Sequence, residues 1–580
     1  MDSFRSSFKS CTINRTAVDE PEDRVYRQKT RRRILILTIS SAILVAMIVM
    51  TIICTRNLDT SPFHPPFSVD VSIKAMCSVT LYPNSCFSSL ESSNTTDPHL
   101  LFKQTLDVSS NELSNLSTLP TSMIDQTNDD RIKAALSVCQ HAFEDAISKM
   151  NDSVSLMSTT SKSINNVLSR ANILDLETWL SAAVTDQETC LEALYEVNAT
   201  NTIAEINDLM KNSTEFISNS LAIVSKVISF LPSPANPIHR RRRLLVDTTL
   251  SFPNWFGPGD RKLLQETNPK PDLVVAKDGS GDVKTIKEAI AKVPKSKNTT
   301  GDRFIIYVKV GEYVENVVLD VPNVMMYGDG KTNTVVSGSL NFVDGTPTFQ
   351  TATFAVTGSG FIARDMGFKN TAGASKHQAV ALRSGSDKSV FYRCSFEAFQ
   401  DTLYTYSLRQ FYRECDIIGT IDFIFGNAAV VFQNCNILPR QPMGNQFVTL
   451  TAQGKSDPNQ NTGISIQKCV ISPFDNLTAT TYLGRPWKKY ATTVVMQSQI
   501  GSLLDPRGWS PWEKNVEPPN TIYYAEYQNT GPGANTTNRV KWGGYKASIT
   551  ATEASRFTVN SFINGNSWLP ATTVPFDSTL

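Results

Sequence analysis

The chain has 580 residues, with 55 Lys and Arg against 54 Asp and Glu, a formal net charge of +1 and ten cysteines. That length suits two or three domains of about 100–200 residues each, and the balanced charge excludes a polycationic nucleic-acid binder. The balance hides an acidic stretch from about Asp70 to Ile238 and a slightly basic one after Lys262. Such halves suit mutual docking, or a basic half meeting an acidic ligand; two ordinary soluble surfaces fit the charge equally well.

Residues 1–33 read as a polar tail. Residues 34–54, Ile34 to Cys54, carry no charge and are long enough to cross a bilayer. Lys29 and Arg31 to Arg33 precede them, so positive-inside logic leaves the tail in the cytoplasm and the rest outside. A type II signal anchor in the secretory pathway is the preferred reading. A cleaved signal peptide is the alternative, but its apolar core normally runs about 7–15 residues. Sequons at Asn94, Asn115, Asn151, Asn198, Asn212, Asn298, Asn476 and Asn535 favour export. Export makes the luminal cysteines available for disulfides.

After a Pro-rich spacer at 61–67, residues 70–231 show helical spacing. Ile132 to Met150, Leu174 to Val197 and Phe216 to Phe230 repeat apolar residues at three- and four-residue steps, and glycine is absent. An antiparallel helix bundle is predicted. Cys77 and Cys86 would close its N-terminal hairpin, and Cys139 and Cys190 would staple two core helices. Residues 232–268 turn to prolines and two basic runs, Arg240 to Leu245 and Arg261 to Leu264. Paired basic sites in an inter-domain linker suit protease processing.

From 269 to 580 the pattern is β. Short β-branched or aromatic runs at Phe304 to Val310, Val317 to Leu319, Val324 to Tyr327, Ala352 to Val356, Ala379 to Leu382, Ala428 to Phe432 and Thr493 to Met496 are punctuated by Gly, Asn and Asp. A helix over about Val283 to Val293 is predicted to cap one end. Phe391-Tyr392-Arg393-Cys394 and Phe411-Tyr412-Arg413-Glu414-Cys415 begin two similar stretches, with Asp401 and Asp422 each seven residues beyond the cysteine. A repeat of about twenty residues suggests a solenoid rather than a β-sandwich, with coils roughly 4.8 Å apart. Cys394, Cys415 and Cys435 are about one coil apart. Cys415–Cys435 is the preferred disulfide, with stacked unpaired thiols as the alternative.

Equivalent positions on neighbouring coils would bring Asp401 and Asp422 together, and two close carboxylates drive one toward the protonated acid. The C-terminal half has one histidine, His377, no Gly-x-Ser-x-Gly elbow and no evident zinc or calcium ligand set. Carboxylates are therefore the expected reactive groups, without metal or organic cofactor. Gln400 beside Asp401, and Gln378 one coil earlier, suit an oxyanion hole or a structural ladder. Leu483-Gly484-Arg485-Pro486-Trp487 offers a guanidinium for a carboxylate and an aromatic face for a sugar.

Five motifs in order resemble plant pectin methylesterases: Gly311 to Glu315, Gln378 to Leu382, Gln400 to Leu403, Gly419 to Asn427, and Leu483 to Trp487. The acidic bundle, with Cys77-x-x-Thr80-x-Tyr82-Pro83-x-x-Cys86, resembles a pectin methylesterase inhibitor domain. The resemblance implies a right-handed parallel β-helix that hydrolyses methyl esters of galacturonate in cell-wall pectin (methyl-esterified homogalacturonan). It implies Asp422 as nucleophile, Asp401 as acid and then base, Gln378 and Gln400 at the oxyanion, and Arg485 holding Asp422. Thr348, Gln378, Phe423, Phe425, Arg485 and Trp487 would touch substrate. A subtilisin-like protease is the implied processing partner and a separate methylesterase inhibitor a further one. The bundle would inhibit until cleaved, and the mature domain would act in the cell wall. Some relatives place a cysteine near position 367 to pair with the equivalent of Cys394; Gly367 cannot. The rival readings are a β-helix lyase or glycosidase, which would cut the chain, and a non-catalytic inhibitor.

Overall fold

The computed structural model describes residues 68–161, 168–231, 269–294 and 303–580. The expected tail, anchor, spacer and processing linker, with both basic runs and Asn298, lie outside the described residues. Among the described residues no helix is long and apolar enough to cross a membrane.

Residues 68–231 form the expected bundle. Three long helices, Asp130–Ser161, Arg170–Glu196 and Thr200–Lys226, pack with Pro98–Asn115 and shorter helices before it. Side-chain caps fix two starts: Asp97 accepts from His99 N and Ser169 from Asn172 N. Cys77–Cys86 and Cys139–Cys190 are both joined, with Cα atoms 5.5 and 4.2 Å apart. The second bridge ties the start of Asp130–Ser161 to the end of Arg170–Glu196, so those helices run antiparallel.

Residues 269–580 wind into three parallel sheets of eleven, eight and seven strands. Successive coils pair in register: Leu382 with Leu403 and Leu403 with Ile424, 21 residues apart each time. Helix Ile286–Ala291, with a Thr285–Glu288 capping box, packs beside the first strand, Leu273–Val275, as the capping helix predicted there. Inside, equivalent aromatics stack coil on coil. Phe391–Tyr412 and Tyr412–Phe432 have ring centroids 4.7 Å apart, the strand spacing itself. Left-handed residues form columns at the corners, such as Arg393, Glu414, Asn434 and Lys468 with φ of 51° to 55°.

The expected Cys415–Cys435 disulfide is not formed. Cys394, Cys415, Cys435 and Cys469 are buried free thiols. Parallel register points their side chains the same way, which keeps neighbouring Cβ atoms about 4.8 Å apart where a disulfide needs about 3.5–4.5 Å. Three of the thiols instead meet a carbonyl one coil back, Cys415 to Phe391 O at 3.3 Å, Cys435 to Tyr412 O at 3.6 Å and Cys469 to Phe432 O at 3.5 Å, while Cys394 meets Tyr392 O of its own coil at 3.5 Å.

Bundle and β-helix lie in one compact unit, Ser68–Leu580. One hydrophobic cluster crosses between them, joining Leu136, Phe143 and Leu194 of the bundle to Phe349, Tyr404, Tyr406 and Phe425 of the β-helix.

Candidate active site

Asp401 and Asp422 each precede by two residues the strands that pair Leu403 with Ile424, so they occupy one column on adjacent coils. Asp401 N donates to Ile421 O at 3.0 Å, the ladder bond beside Asp422. Both are left-handed, φ 62° and 50°, a conformation that costs an L-residue about 1–2 kcal/mol. Gly419 permits the tight turn under Asp422: a Cβ there would collide with Phe423 Cβ and Thr402 Oγ1.

The two carboxyl groups differ in surroundings. Asp422 is 4 % exposed. Arg485 Nε donates to its Oδ1 at 2.9 Å and Nη2 to its Oδ2 at 2.5 Å. Thr449 Oγ1 donates to Oδ1 at 2.6 Å and accepts from Asp422 N at 2.9 Å. These donors fix the orientation of both carboxylate oxygens. Asp401, 7 % exposed, is pushed well above the usual carboxylate range by burial, then by the Asp422 charge and Glu196, with Arg485 opposing. The two neighbouring carboxyl groups are thus unlike: Asp422 is held by a guanidinium and a hydroxyl, and Asp401 is buried with its pKa raised.

Gln378 and Gln400 sit one coil apart, joined by a parallel bridge, and are half-buried. They line a cavity of about 460 Å³ together with Asp401, Asp422, Arg485 and Trp487. Thr348 and Phe425 line it too. Phe423 does not: alternation along the chain turns it inward into the β-helix core, fully buried, while Asp422 faces out. Its place among the substrate-contacting residues is thereby corrected. Among the described residues no cluster of His, Cys, Asp or Glu is placed to hold a metal ion.

Two neighbours escape sequence reasoning. Thr449 lies in strand Val448–Gln453, where a β-branched residue reads as packing. Trp512, 38 % exposed, stacks on Trp487 with centroids 6.2 Å apart and lies under Arg485, whose Cζ is 4.3 Å from its ring. An aromatic in the turn Trp509-Ser510-Pro511-Trp512 was the available signal for it.

The bundle also reaches this cavity. Thr189, Glu192, Ala193, Tyr195 and Glu196, at the end of helix Arg170–Glu196, line it from above. Glu196 Oε2 accepts Thr348 N at 3.0 Å, Lys488 Nζ bonds Glu192 Oε1 at 2.8 Å, and Tyr406 OH donates to Asp186 Oδ1 at 2.6 Å. Gln460 Nε2 donates to Ser181 O at 2.9 Å, Asn461 N to Ser181 Oγ at 3.2 Å, and Ser218 Oγ to Asp457 Oδ2 at 2.6 Å.

Comparison with known proteins agrees with this geometry. The pectinesterase family model matches residues 272–566, just over half the chain, and the plant invertase/pectin methylesterase inhibitor model matches residues 71–223. "Pectinesterase 3" of Phaseolus vulgaris is 56 % identical, covering 97 % of this chain and 98 % of its own. "Pectinesterase 1" of Arabidopsis thaliana is 55 % identical over 89 % of each chain. The solved structure of pectin methylesterase from carrot superposes with a TM-score of 0.52 at 53 % identity. It covers 54 % of this chain, about the share that residues 269–580 make up, and all of the carrot chain, so no segment of the solved carrot chain is left over to match the bundle. Fold and matches together define a carboxylic ester hydrolase with an attached inhibitor-like domain. The chain belongs to the pectinesterase family.

Proposed function

We propose that residues 269–580 hydrolyse methyl esters of pectin by an aspartyl mechanism, and that the bundle, residues 70–231, holds the active site closed until it is removed. The observation that carries the mechanism is the unequal pair: Asp422 gripped by Arg485 and Thr449, Asp401 buried beside it with its acidity suppressed.

The Asp422 carboxylate attacks the ester carbonyl carbon. The oxyanion forms against the Gln378 and Gln400 side-chain amides, neutral donors that leave the nucleophile unpaired by a new cation. Collapse breaks the C–O bond to methoxide, which takes the Asp401 proton and leaves as methanol. Asp401, now ionised, removes a proton from water, and the hydroxide attacks the acyl–Asp422 anhydride. That releases galacturonic acid, which gives its proton to the solvent, returns Asp422 as the carboxylate and leaves Asp401 protonated. Trp487, Trp512 and Phe425 supply flat faces for sugar rings.

Occlusion follows from place: five residues of helix Arg170–Glu196 line the cavity that substrate would enter. A tethered partner acts at an effective concentration on the order of millimolar. Cleavage within 232–268 by a subtilisin-like protease would break the tether and free a mature domain for the cell wall. The test is methanol release from methylated pectin by the full chain and by residues 269–580 alone. The β-helix should release methanol without shortening the polymer, and the full chain should be slow. Shortened chains would indicate a lyase or glycosidase instead.

A further inference from the structure

Glu188, Glu192 and Glu196 recur every fourth residue, so they share one helix face and advance about 6 Å per step. That face runs along the cleft. Lys488 Nζ lies 2.8 Å from Glu192 Oε1 and 3.3 Å from Glu188 Oε2, and Thr348 N donates to Glu196 Oε2 at 3.0 Å. Lys488 and Thr348 line the same cavity as Asp401 and Asp422. Glu196 is near enough to Asp401 to raise its pKa. The Lys488 side chain is largely buried, its ammonium 5.4 Å from the centroid of the Trp487 ring. Among the described residues its ion pairs are with these two bundle glutamates and with no β-helix carboxylate. The cation therefore has no carboxylate of its own domain to answer, although it sits in the catalytic cleft.

We propose that Lys488 is a subsite for the free carboxylate of a galacturonate unit neighbouring the ester under attack, and that Glu192 occupies that subsite as a stand-in while the bundle is docked. The proposal rests on the reading that this cleft takes pectin. Each turnover converts an ester into a carboxylate. A free carboxylate on Lys488 adds charge–charge attraction to the hydrogen bond, which a neutral ester carbonyl cannot. Esters beside units already hydrolysed are then the better substrates.

The test uses residues 269–580 and two galacturonate hexamers, one fully methyl-esterified and one with alternate units free. The wild-type domain should favour the second by about tenfold in kcat/KM, the usual size of one hydrogen bond to a charged group. Lys488→Gln should bring that ratio near one whatever its absolute rate, and Lys488→Arg should keep most of it. A ratio unchanged in Lys488→Gln overturns the subsite. In the full chain, Glu192→Lys, which sets a like charge against Lys488, should admit a fully de-esterified oligogalacturonate, seen as quenching of tryptophan fluorescence, that the wild-type chain excludes. Equal binding by the wild-type full chain and the isolated domain would refute occlusion while leaving the hexamer ratio to judge Lys488. Methanol from neither hexamer would overturn the parent reading and this proposal with it.

Discussion

Asp422 does two things that a neutral amide cannot. In the proposed mechanism it carries the attacking charge, and it meets Arg485 through both oxygens. Asp422→Asn in the β-helix domain should cost on the order of a thousandfold in methanol release, since Asp401, the other β-helix carboxyl group lining the cavity, is already used as the acid. A variant within tenfold of wild type would remove Asp422 from the mechanism. Thr449 gives a finer test. Its hydroxyl accepts the Asp422 N–H, so its single proton is committed to Oδ1. One group thus fixes both a left-handed backbone and a carboxylate orientation. Thr449→Val, of nearly equal volume, should lower kcat about tenfold or more with little change in KM, and Thr449→Ser should restore most of it. An unaltered kcat in the valine variant would reduce Thr449 to packing. The aspartate pair was legible in sequence because coil register preserves an offset, and cysteines 21 residues apart marked it. Thr449 was not, because its role depends on which coil lies beside Asp422. Phe423 was misread for the complementary reason: membership of the Gly419 to Asn427 motif does not say which way a side chain faces.

At the scale of elements, the β-helix supplies one wall of the cavity and the Arg170–Glu196 helix its cover. The wall is built by repetition, with every coil pairing the next in parallel and aromatic and thiol columns filling the interior. Sequence reading located most strands, because β-branched runs between glycines survive any register. It placed one strand at Ala379 to Leu382, where the strand is Leu382–Ser384. There the backbone bonds loop groups as well as strands, with Val380 N donating to Thr351 Oγ1. The Cys415–Cys435 bridge failed for a related reason, since spacing along the chain does not report the Cβ direction. The cover is held by a polar seam at Ser181 and Thr185: Gln460 bonds Ser181 O, Asn461 N bonds Ser181 Oγ, and Asn427 Nδ2 donates to Thr185 Oγ1 at 2.9 Å. Ser181 is buried. Ser181→Arg would force an unpaired guanidinium into the seam, the kind of change that costs about 3–5 kcal/mol. The full chain should then gain at least tenfold in methanol release while keeping its helical circular dichroism. A variant that stays silent would mean that occlusion does not depend on this seam.

At the scale of the whole molecule, the interface stores protons. Glu192 is pushed up to about 7 by burial, with Lys488 opposing and Glu188 and Glu196 adding to it. Glu196 is raised by burial against the hydrogen bond from Thr348, and Asp186 by burial and Asp145 against the one from Tyr406. Released into water, a glutamate returns to about 4.3 and an aspartate to about 3.9. A group whose pKa is raised in the docked state favours docking fully below its free pKa, and that contribution is lost as pH rises through the docked value. For Glu192 the window runs from about 4.3 to about 7. The bundle should therefore hold tightest in acid and loosen toward neutrality, by up to about tenfold per pH unit for each group titrating. Catalysis titrates as well through Asp401, so raw rates would confound the two effects. The ratio of full-chain to β-helix-domain activity at each pH cancels the shared chemistry. That ratio should climb between pH 5 and 8, and Glu192→Gln, which cannot ionise, should flatten the climb by up to one proton. A ratio level across this range, in a full chain shown to be occluded at pH 5, would mean that the buried acids stay buried and neutral whether or not substrate can enter.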